Sequence, residues 1–599
     1  MHYSQKLFFK YNLFLTIFFY ALFLIFNTDY TFLTLGLTLF GTISTAATLY
    51  LIYYLVLMPF SLSRKLFYYI GGSLFFITNL ALVVDFFIFR LYKYHINAMV
   101  LNILFSPDAF NSIEIGIIPV LVFIFFVLSL FGFEIWLYKK VFMLEKATIQ
   151  KSNFAKIILF IIVVEKLSYG FASFQAQKDI LVKFRVIPLY QPLTFNSFIY
   201  KHFGYKPKIA VQNTIIASAT LNYPKEKLEF NRTKHFNVFI IASDAVQYAA
   251  LNKEDAPNLV QFKKENINFS HHYSGGNGTR FGIFSLMQGI NATYWFSFLE
   301  ADKGSVLFDS LNQLDYETHI VFSTSTMWPE FRKTCFSNVK SSIDDDYKGK
   351  PWQKDQQSSQ RLLDIIDNYD GKRPIFSFLF MDAPHGYSFP PQFNKFQAKE
   401  NIDYVTIAPG SPNLKEAYKA YKNAIFYNDF LFKKIIDKLK EKKLYDNSLI
   451  IYTTDHGQEF YEYGFFGHTT AFDDAQIHIP FFVKLPKFME KKLKPREGMT
   501  SHLDFIPTLL RMLGVKNKAQ DYSSGYSLFN PKKRDFIFTT SWNYNAIVTP
   551  KYSYIFANRP DKLFQTEIRD TKTYKLLKDV KVDNKLVLKV MQQNREFIK

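Results

Sequence analysis

Residues 450–457 read Ile-Ile-Tyr-Thr-Thr-Asp-His-Gly, so a short apolar run ends directly in the carboxylate of Asp455 and the imidazole of His456. Short apolar runs separated by longer segments of mixed polarity indicate an α/β fold with a largely parallel, buried sheet. Five such runs follow residue 235, at 237–242, 319–323, 374–381, 448–453 and 479–485. In sheets of this kind, ligands bind beyond the carboxyl ends of the strands.

Two other predicted strands also end in residues that can bind a metal or transfer a proton. The first leads to Asp244, and the third leads to Asp382 and His385. A single carboxylate after a strand is more often a turn or a helix cap. Three carboxylates at the same edge of one sheet are harder to explain in that way, so we expect Asp244, Asp382 and Asp455 to belong to one site.

A glycine-rich loop opens a predicted helix at 274–289, Ser-Gly-Gly-Asn-Gly-Thr-Arg-Phe-Gly-Ile-Phe-Ser-Leu-Met-Gln-Gly. The first turn of this helix contains Thr279, where unpaired N–H groups and the helix dipole favour an anion and the hydroxyl is exposed for attack. A threonine that only caps the helix is the structural alternative. Three further candidates come later in the chain, namely His468, His502 and Asp504.

The first 176 residues differ from the rest in composition. They hold 12 of the 71 Lys and Arg residues and 7 of the 51 Asp and Glu residues. Spanning about 30 Å of hydrocarbon takes roughly 20 apolar residues in a helix. Apolar stretches near this length occur at 9–26, 32–58, 66–89, 115–138 and 154–174. The sequence therefore predicts a domain of five transmembrane helices.

The positive charges between these stretches predict the orientation of the chain. Cytoplasmic loops carry an excess of Lys and Arg. Alternate connections hold Lys6, Lys10, Arg64, Lys65, Lys139, Lys140, Lys146, Lys151 and Lys156, and only Arg90 and Lys93 fall on the other side. We expect a multi-pass protein of a bacterial inner membrane, with a cytoplasmic N-terminus and a periplasmic C-terminal domain.

Ionisable residues inside the spans are costly in hydrocarbon. They are Asp85, Glu134 and the adjacent pair Glu165 and Lys166. Neighbours in sequence point to different sides of a helix, so the pair is expected to find its partners elsewhere. Struts between helices, or side chains reaching the interface, are favoured over a transport or partner-binding role.

Residues 177–235 join the two halves with basic residues interleaved with aromatic ones. This mixture suits the head-group layer of a membrane and predicts contact with an anionic lipid, although a solvated linker is an equal alternative. The candidate lipid-binding residues are Arg185, Lys201, His202, Lys206 and Lys208.

The whole chain has a net charge of +20, but its basic residues are spread along the sequence and form no Arg-rich run. We therefore expect no nucleic-acid partner. The single cysteine, Cys335, excludes an intrachain disulfide framework.

The order of these motifs resembles the sulfatase and alkaline-phosphatase superfamily over 236–530, and 531–599 resembles its small C-terminal α+β subdomain. The resemblance implies that one divalent metal (Mg, Mn or Zn) is held by Asp244, Thr279, Asp455 and His456. It also implies that His385 and His468 stabilise the ester oxygens or protonate the leaving group. Asp382, His502 and Asp504 are candidates for a second metal or a supporting role.

The nucleophile position separates the branches of this superfamily. True sulfatases convert the Cys or Ser of a Cys/Ser-x-Pro-x-Arg motif to formylglycine, whereas Thr279-Arg-Phe-Gly-Ile lacks that residue and the Pro. Cys335 lies far from the loop. Thr279 instead resembles the threonine of lipid phosphoethanolamine transferases and lipoteichoic-acid synthases, which forms a phospho-enzyme. The sequence therefore argues against formylglycine sulfatase chemistry.

The whole arrangement is similar to the YejM/PbgA family, in which a DUF3413 domain precedes a sulfatase-like domain. The resemblance implies a protein of lipopolysaccharide and outer-membrane lipid homeostasis. Such a protein would bind anionic lipid, either lipopolysaccharide (lipid A) or cardiolipin, and signal through its helices to a cytoplasmic or membrane partner. Two alternatives stay open. One is a metal-dependent phosphatase or lipid phosphoethanolamine-type phosphotransferase that uses Thr279, and the other is a cardiolipin transporter.

Overall fold

The structure is a computed structural model whose described residues form two compact units, one up to residue 203 and one from residue 221. The described residues are 3–27, 29–92, 95–96, 117–142, 153–175, 177–195, 199, 202–203, 221–231, 234–399, 402–530, 533–557, 567–580 and 583–598. The predicted linker thus contributes described residues to both units. The predicted boundaries after residues 176, 235 and 530 stay predictions.

The N-terminal unit contains five long apolar helices, as predicted. They are α1 (Tyr3–Leu22), α2 (Phe32–Leu57), α3 (Arg64–Tyr92), α4 (Ile117–Phe142) and α5 (Phe154–Phe174). All five are long and apolar enough to cross a membrane. Polar side chains join them inside the bundle, since the Thr16 hydroxyl lies 2.8 Å from the Tyr50 hydroxyl and donates to the side-chain oxygen Oδ1 of Asn79 at 2.8 Å.

The ionisable residues inside the spans are all bonded. Glu134 accepts a hydrogen bond from the Asn12 amide at 3.3 Å, and Asp85 lies 2.7 Å from Nδ1 of His95. Glu165 and Lys166 find partners elsewhere, as expected, since Tyr190 donates to Glu165 and Lys166 donates to the Gln191 carbonyl at 2.7 Å. They also contact each other, with Lys166 Nζ 3.1 Å from Glu165 Oε2. A lysine stem is long enough to curl back to its neighbour.

A short segment after α5 packs back onto the helices of the same unit. It contains a helical turn, Lys178–Leu181, and a 3-10 turn, Val182–Val186. The Phe184 ring lies against α2 at Gly41, where an added Cβ would be 2.7 Å from that ring. The segment is therefore fixed to the membrane helices by close packing.

The second unit is built on a seven-stranded sheet. Its strands are β1 (Asn237–Ser243), β2 (Ile267–Asn268), β4 (Glu317–Phe322), β5 (Ile343–Asp344), β6 (Ile375–Met381), β7 (Ser448–Thr454) and β10 (Phe481–Lys484). They lie in the order β2-β10-β7-β1-β6-β4-β5. β1, β4, β5, β6 and β7 pair in parallel, and β10 pairs antiparallel with β7 and β2. All five predicted strands are confirmed within two residues at each end.

Helices cover both faces of this sheet. Val238, Ile240 and Ala242 enter one buried core, whereas Phe239 and Ile241 enter the other. A strand buried on both faces reads as a continuous apolar run, which is why the sequence revealed it. The main helices are α6 (Pro257–Glu265), α7 (Thr279–Gln288), α8 (Val306–Gln313), α9 (Pro351–Asp367), α10 (Pro412–Glu441) and α11 (Phe505–Met512).

The chain ends in a four-stranded antiparallel sheet and a helix. These are β12 (Ile537–Thr540), β13 (Tyr544–Val548), β14 (Tyr552–Ala557), β15 (Glu567–Asp570) and α12 (Asn584–Gln593). β3 (His272–Tyr273), β8 (Glu459–Phe460), β9 (Phe466–Gly467) and β11 (Thr500–Ser501) form two small additional sheets. The fold class is therefore the predicted one, with a helical membrane domain followed by an α/β domain and a small α+β subdomain.

Candidate functional site

Strand register brings the three predicted aspartates together. In the sheet, Ser243 of β1 lies opposite Met381 of β6 and Thr454 of β7. The next residues of the three neighbouring strands are the predicted ones, namely Asp244, Asp382 and Asp455. Parallel strands in this register end at the same edge, so the structure brings the three aspartates to one edge of the sheet, and their membership of one functional site stays a prediction.

Helix α7 places Thr279 at that edge. The helix begins at Thr279, as predicted, and Gly278 precedes it with extended backbone. Gly282 allows α7 to lie directly on the end of β7, because an added Cβ there would be 2.3 Å from the Asp455 carbonyl oxygen. The nucleophile candidate is therefore positioned by a close approach of two backbones.

The glycine-rich loop before α7 is also bonded to the C-terminal sheet. Thr540 N–H of β12 donates to the Gly275 carbonyl at 3.0 Å, and Asn277 N–H donates to the Thr540 carbonyl at 3.3 Å. A residue from the C-terminal sheet thus completes the support of the nucleophile loop.

Four side chains converge around one point. The Thr279 hydroxyl lies 3.4 Å from Asp244 Oδ2 and 3.2 Å from His456 Nε2. His456 Nε2 lies 3.4 Å from Asp244 Oδ1 and 3.3 Å from Asp455 Oδ2. Ligands held at about 2.0–2.1 Å around a tetrahedral metal are about 3.3 Å apart. The spacing of these four groups fits one small divalent cation.

Hydrogen bonding supports the same interpretation. Asp244 Oδ1 and Asp455 Oδ2 are buried, and neither has a hydrogen-bond partner among the described residues. Nδ1 of His456 lies 2.9 Å from the Gly457 carbonyl and must donate to it, so the lone pair of Nε2 is directed at the cluster. Buried carboxylate oxygens without a partner are costly unless a cation neutralises them.

In the part of the chain that the structure describes, no lysine or arginine forms an ion pair with Asp244 or Asp455. Burial, together with the charge of Asp455, raises the pKa of Asp244 well above its ordinary value. Burial also lowers the pKa of His456, which favours the neutral imidazole that binds a metal. A divalent cation would stabilise both the carboxylate of Asp244 and the neutral imidazole of His456, so these residues fit one.

His385 and His468 lie beside the cluster, where the sequence predicted them. Their rings are 5.1 Å apart, and the His468 ring is 4.4 Å from that of His456. Partial burial alone would lower the pKa of His385, but the carboxylates around it, that of Asp244 foremost, raise the pKa to about 10. Burial and the two other imidazoles hold the pKa of His468 well below its ordinary value. The surroundings of the two histidines thus shift their pKa values in opposite directions.

The predicted second-metal group does not assemble. Of its three members only Asp382 joins the cluster, where its carboxylate can share a cation with Asp244 and His385. The Asp504 carboxylate is occupied by ion pairs to Arg496 and Arg534.

His502 is not among the residues whose ligand atoms group with Asp244 in the described part of the chain. Its Nδ1 lies 3.3 Å from the Gly282 carbonyl, and burial lowers its pKa to about 3. The arginine pairs of Asp504 argue against a second-metal role for that carboxylate, and a supporting role for the two residues stays a prediction.

Two residues that the sequence did not reveal support the site. The buried carboxylate of Asp355 in α9 accepts hydrogen bonds from the backbone N–H groups of Asp382 at 2.7 Å and Ala383 at 2.9 Å. The side-chain oxygen Oε1 of Gln458 lies 3.0 Å from Nδ1 of His468. Neither follows a strand end directly, so the strand-end rule had no means of finding them.

The predicted lipid-binding residues are described only in part. Arg185 lies in the 3-10 turn after α5, and its carbonyl oxygen is 3.0 Å from His95 Nε2. His202 is exposed. Lys201, Lys206 and Lys208 lie outside the described residues.

Comparison with known proteins agrees with this architecture. Residues 237–515 match the Sulfatase family, and residues 7–230 match DUF3413, a domain of unknown function. The chain is therefore a membrane protein with a sulfatase-type domain. It is 24% identical to the inner membrane protein YejM of Salmonella typhimurium (strain LT2) over 566 residues, which cover 91% of this chain and 88% of that protein. The chain is thus similar over nearly its whole length to a YejM-type inner membrane protein.

Two further similarities are more limited. The phosphoethanolamine transferase EptA of Helicobacter pylori is 29% identical over 190 residues, which cover 30% of this chain and 35% of the transferase. A solved structure of an alkaline phosphatase superfamily protein from Vibrio parahaemolyticus aligns with a TM-score of 0.45 at 16% identity and covers 65% of this chain and 94% of that one.

Proposed function

We propose that the sulfatase-type domain is a metal-dependent phosphoester-transfer site within an inner-membrane protein of lipid homeostasis. The observation that carries the proposal is the cluster of Asp244, Thr279, Asp455 and His456. Its members have the spacing of a tetrahedral metal site, and two buried carboxylate oxygens lack partners among the described residues. These four residues would hold one divalent cation, Mg, Mn or Zn.

The residues around the cluster supply the rest of the chemistry. A divalent cation held by these residues would lower the pKa of the Thr279 hydroxyl. The hydroxyl would give its proton to water, and its oxygen would attack the phosphorus of an ester in line, so that a new P–O bond forms to Thr279 and the bond to the leaving oxygen breaks. The His385 side chain is 36% exposed beside the cluster, so it can donate a hydrogen bond to the ester or to the leaving oxygen.

The substrate class we propose is a phosphoester of an anionic membrane lipid. Five helices that are long and apolar enough to cross a membrane support a lipid substrate, and the similarity to a phosphoethanolamine transferase supports a phosphoester. The loop at Thr279 lacks the Cys or Ser and the Pro that sulfatases modify, which argues against a sulfate ester.

The experiment that tests this function uses the purified full-length protein in detergent. We expect metal-stripped protein to take up one equivalent of Mg²⁺, Mn²⁺ or Zn²⁺ and then to hydrolyse an aryl phosphate. Asp455→Asn should weaken metal binding by about 100-fold or more, because it removes a buried ligand charge. The exposed Asp370→Asn serves as the control. Wild-type protein that takes up no metal and turns over no ester would refute the proposal.

A role as a lipid sensor is the second candidate, and the segment after α5 favours it. Tyr190 in this segment donates a hydrogen bond to Glu165 of α5, and Lys166 of α5 donates to the Gln191 carbonyl at 2.7 Å. A lipid that binds at Arg185 would therefore act on a segment bonded to a membrane helix. Such a sensor would signal to a cytoplasmic or membrane protein partner.

This second candidate predicts a measurable loss of lipid binding. Arg185→Ala in the full-length protein should weaken binding to vesicles that contain lipopolysaccharide or cardiolipin by about fivefold, since one basic residue near an anionic surface contributes about 1 kcal/mol. Lys234→Ala is the matched control. Equal binding by both variants would remove Arg185 from the lipid site. Transport of cardiolipin stays a prediction.

We also propose that the N-terminus is cytoplasmic and the sulfatase-type domain periplasmic. The Lys and Arg residues on alternate connections support this orientation. Single cysteines introduced on either side can be labelled selectively, because the native Cys335 is buried.

A further inference from the structure

The two most exposed large apolar side chains in the described part of the second unit belong to one surface. Met327 is 65% exposed and Phe296 is 57% exposed, and the next in order, Leu576, is 48% exposed. A single apolar side chain at a surface is ordinary, whereas a contiguous exposed patch marks a surface that binds a partner or a ligand. Tryptophan rings connect Met327 to Phe296.

This surface is assembled around Arg280. Cζ of the Arg280 guanidinium lies 4.4 Å from the ring centre of Trp542 and 5.9 Å from that of Trp328. The Phe296 ring lies 6.5 Å from the Trp542 ring, and Met327 directly precedes Trp328. We call Phe296, Met327, Trp328 and Trp542 the apolar patch.

The charges beneath the apolar patch are paired with each other. Arg280 is 4% exposed, and its guanidinium lies 2.9 Å from the carboxylate of Glu330. The ring of Trp542 packs against the same guanidinium in a cation–π contact. A hydrocarbon group on the patch would therefore meet rings and a thioether, and it would not have to displace water from an open charge.

The apolar patch adjoins the nucleophile. Arg280 follows Thr279 in the first turn of α7, and the ring of Phe281 lies 5.4 Å from that of Trp542. Trp542 lies directly after β12, the strand whose Thr540 is bonded to the loop of Thr279. A phosphoester at Thr279 therefore has an exposed apolar surface beside it.

We propose that the apolar patch binds the hydrocarbon chain of the lipid phosphoester whose phosphorus Thr279 attacks. This inference rests on the proposed function and names the part of the substrate that lies beside the reacting group. Lipids are the apolar phosphoesters available to a chain that contains five helices long and apolar enough to cross a membrane. A hydrocarbon chain requires only apolar surface, which Phe296 and Met327 present to solvent.

Alkyl phosphates of increasing length test this inference. Ethyl, butyl and hexyl phosphate share one head group, and each is measured as a competitive inhibitor of aryl phosphate turnover by the metal-loaded full-length protein. Full removal of one methylene from water strengthens binding by about fourfold. The patch covers one side of a chain, so we expect the inhibition constant to fall by about tenfold or more from ethyl to hexyl phosphate.

Variants of the patch should change this dependence on chain length. Phe296→Ser and Met327→Ser should each reduce the difference between ethyl and hexyl phosphate to about threefold or less. Phe296→Leu keeps an apolar side chain and should retain most of the difference. The matched controls are Phe430→Ser and Leu576→Ser, which remove exposed apolar side chains outside the patch and should leave the dependence as in the wild type.

The possible outcomes separate this inference from the proposed function. A wild-type protein that turns over the aryl phosphate but binds all three alkyl phosphates equally would overturn this inference alone, as would equal chain-length dependence in wild type and Phe296→Ser. Loss of a dimer in Phe296→Ser, seen by light scattering with the dependence unchanged, would assign the patch to a second copy of the chain. No aryl phosphate turnover in the wild type would refute the proposed function, and calorimetric titration with the same alkyl phosphates would then decide whether the patch binds a hydrocarbon chain.

Discussion

Thr279→Ala is expected to abolish aryl phosphate turnover, with a loss of about 10³-fold or more, because nucleophile deletions in enzymes with a covalent intermediate have effects of that size or larger. The hydroxyl lies 3.2 Å from His456 Nε2 and 3.4 Å from Asp244 Oδ2, so its removal also deletes one metal ligand. The covalent intermediate should disappear with it. Acid quenching followed by mass spectrometry of the peptide that contains residue 279 measures this directly.

Thr279→Ser is the informative companion variant. It keeps a hydroxyl at the start of α7 and should form a phospho-enzyme, although more slowly because an unbranched side chain has more rotational freedom. A metal-loaded Thr279→Ala protein that turns over at the wild-type rate would show that the ester is attacked by another group. If Thr279→Ala and Thr279→Ser are both inactive but both take up metal normally, the result would point to a binding role for the site.

Gly282→Ala should have the second large effect. It should destabilise the protein, although the same substitution inside a helix usually has the opposite effect. Replacing glycine by alanine inside a helix normally stabilises it by about 1 kcal/mol. Here the added Cβ would lie 2.3 Å from the carbonyl oxygen of Asp455 and 2.9 Å from its carbonyl carbon. Helix α7 must move away from β7, and overpacking of this kind costs about 1–3 kcal/mol.

The same movement separates Thr279 from Asp455, so metal affinity and turnover should fall together. A displacement of about 1 Å at a reacting group can cost about 10²-fold in rate. Thermal unfolding and metal titration of the full-length protein measure the two consequences. Gly132→Ala is the matched control, because Gly132 lies in helix α4 with open space around its Cβ position. Unchanged melting and metal binding in Gly282→Ala would contradict the close approach of α7 and β7.

The predicted parts of the site follow from one physical rule. Asp244, Asp382 and Asp455 each come directly after an apolar strand, and parallel strands in register bring their carboxyl ends to one edge. Thr279 was found because a helix that begins after glycines has a recognisable sequence. These signals are local, so a single sequence contains them.

The parts that the sequence did not reveal depend on contacts between distant segments. Asp355 lies in the second turn of α9 and accepts a hydrogen bond from a residue 27 positions later. Asp504 follows a candidate histidine in the manner of a metal ligand, yet Arg496 and Arg534 neutralise it in the folded chain. Only the tertiary structure distinguishes a carboxylate that is already paired from one that still needs a cation.

The bond between β12 and the nucleophile loop has a consequence for the order in which the protein matures. Thr540 contacts Gly275 and Asn277, which precede it by more than 260 residues. The loop that carries Thr279 therefore cannot reach its final support until almost the entire chain has been synthesised. A growing or truncated chain that ends before residue 537 would hold its aspartates on the sheet but lack this restraint on the nucleophile. Completion of the C-terminal sheet is thus the step at which the site acquires its full geometry.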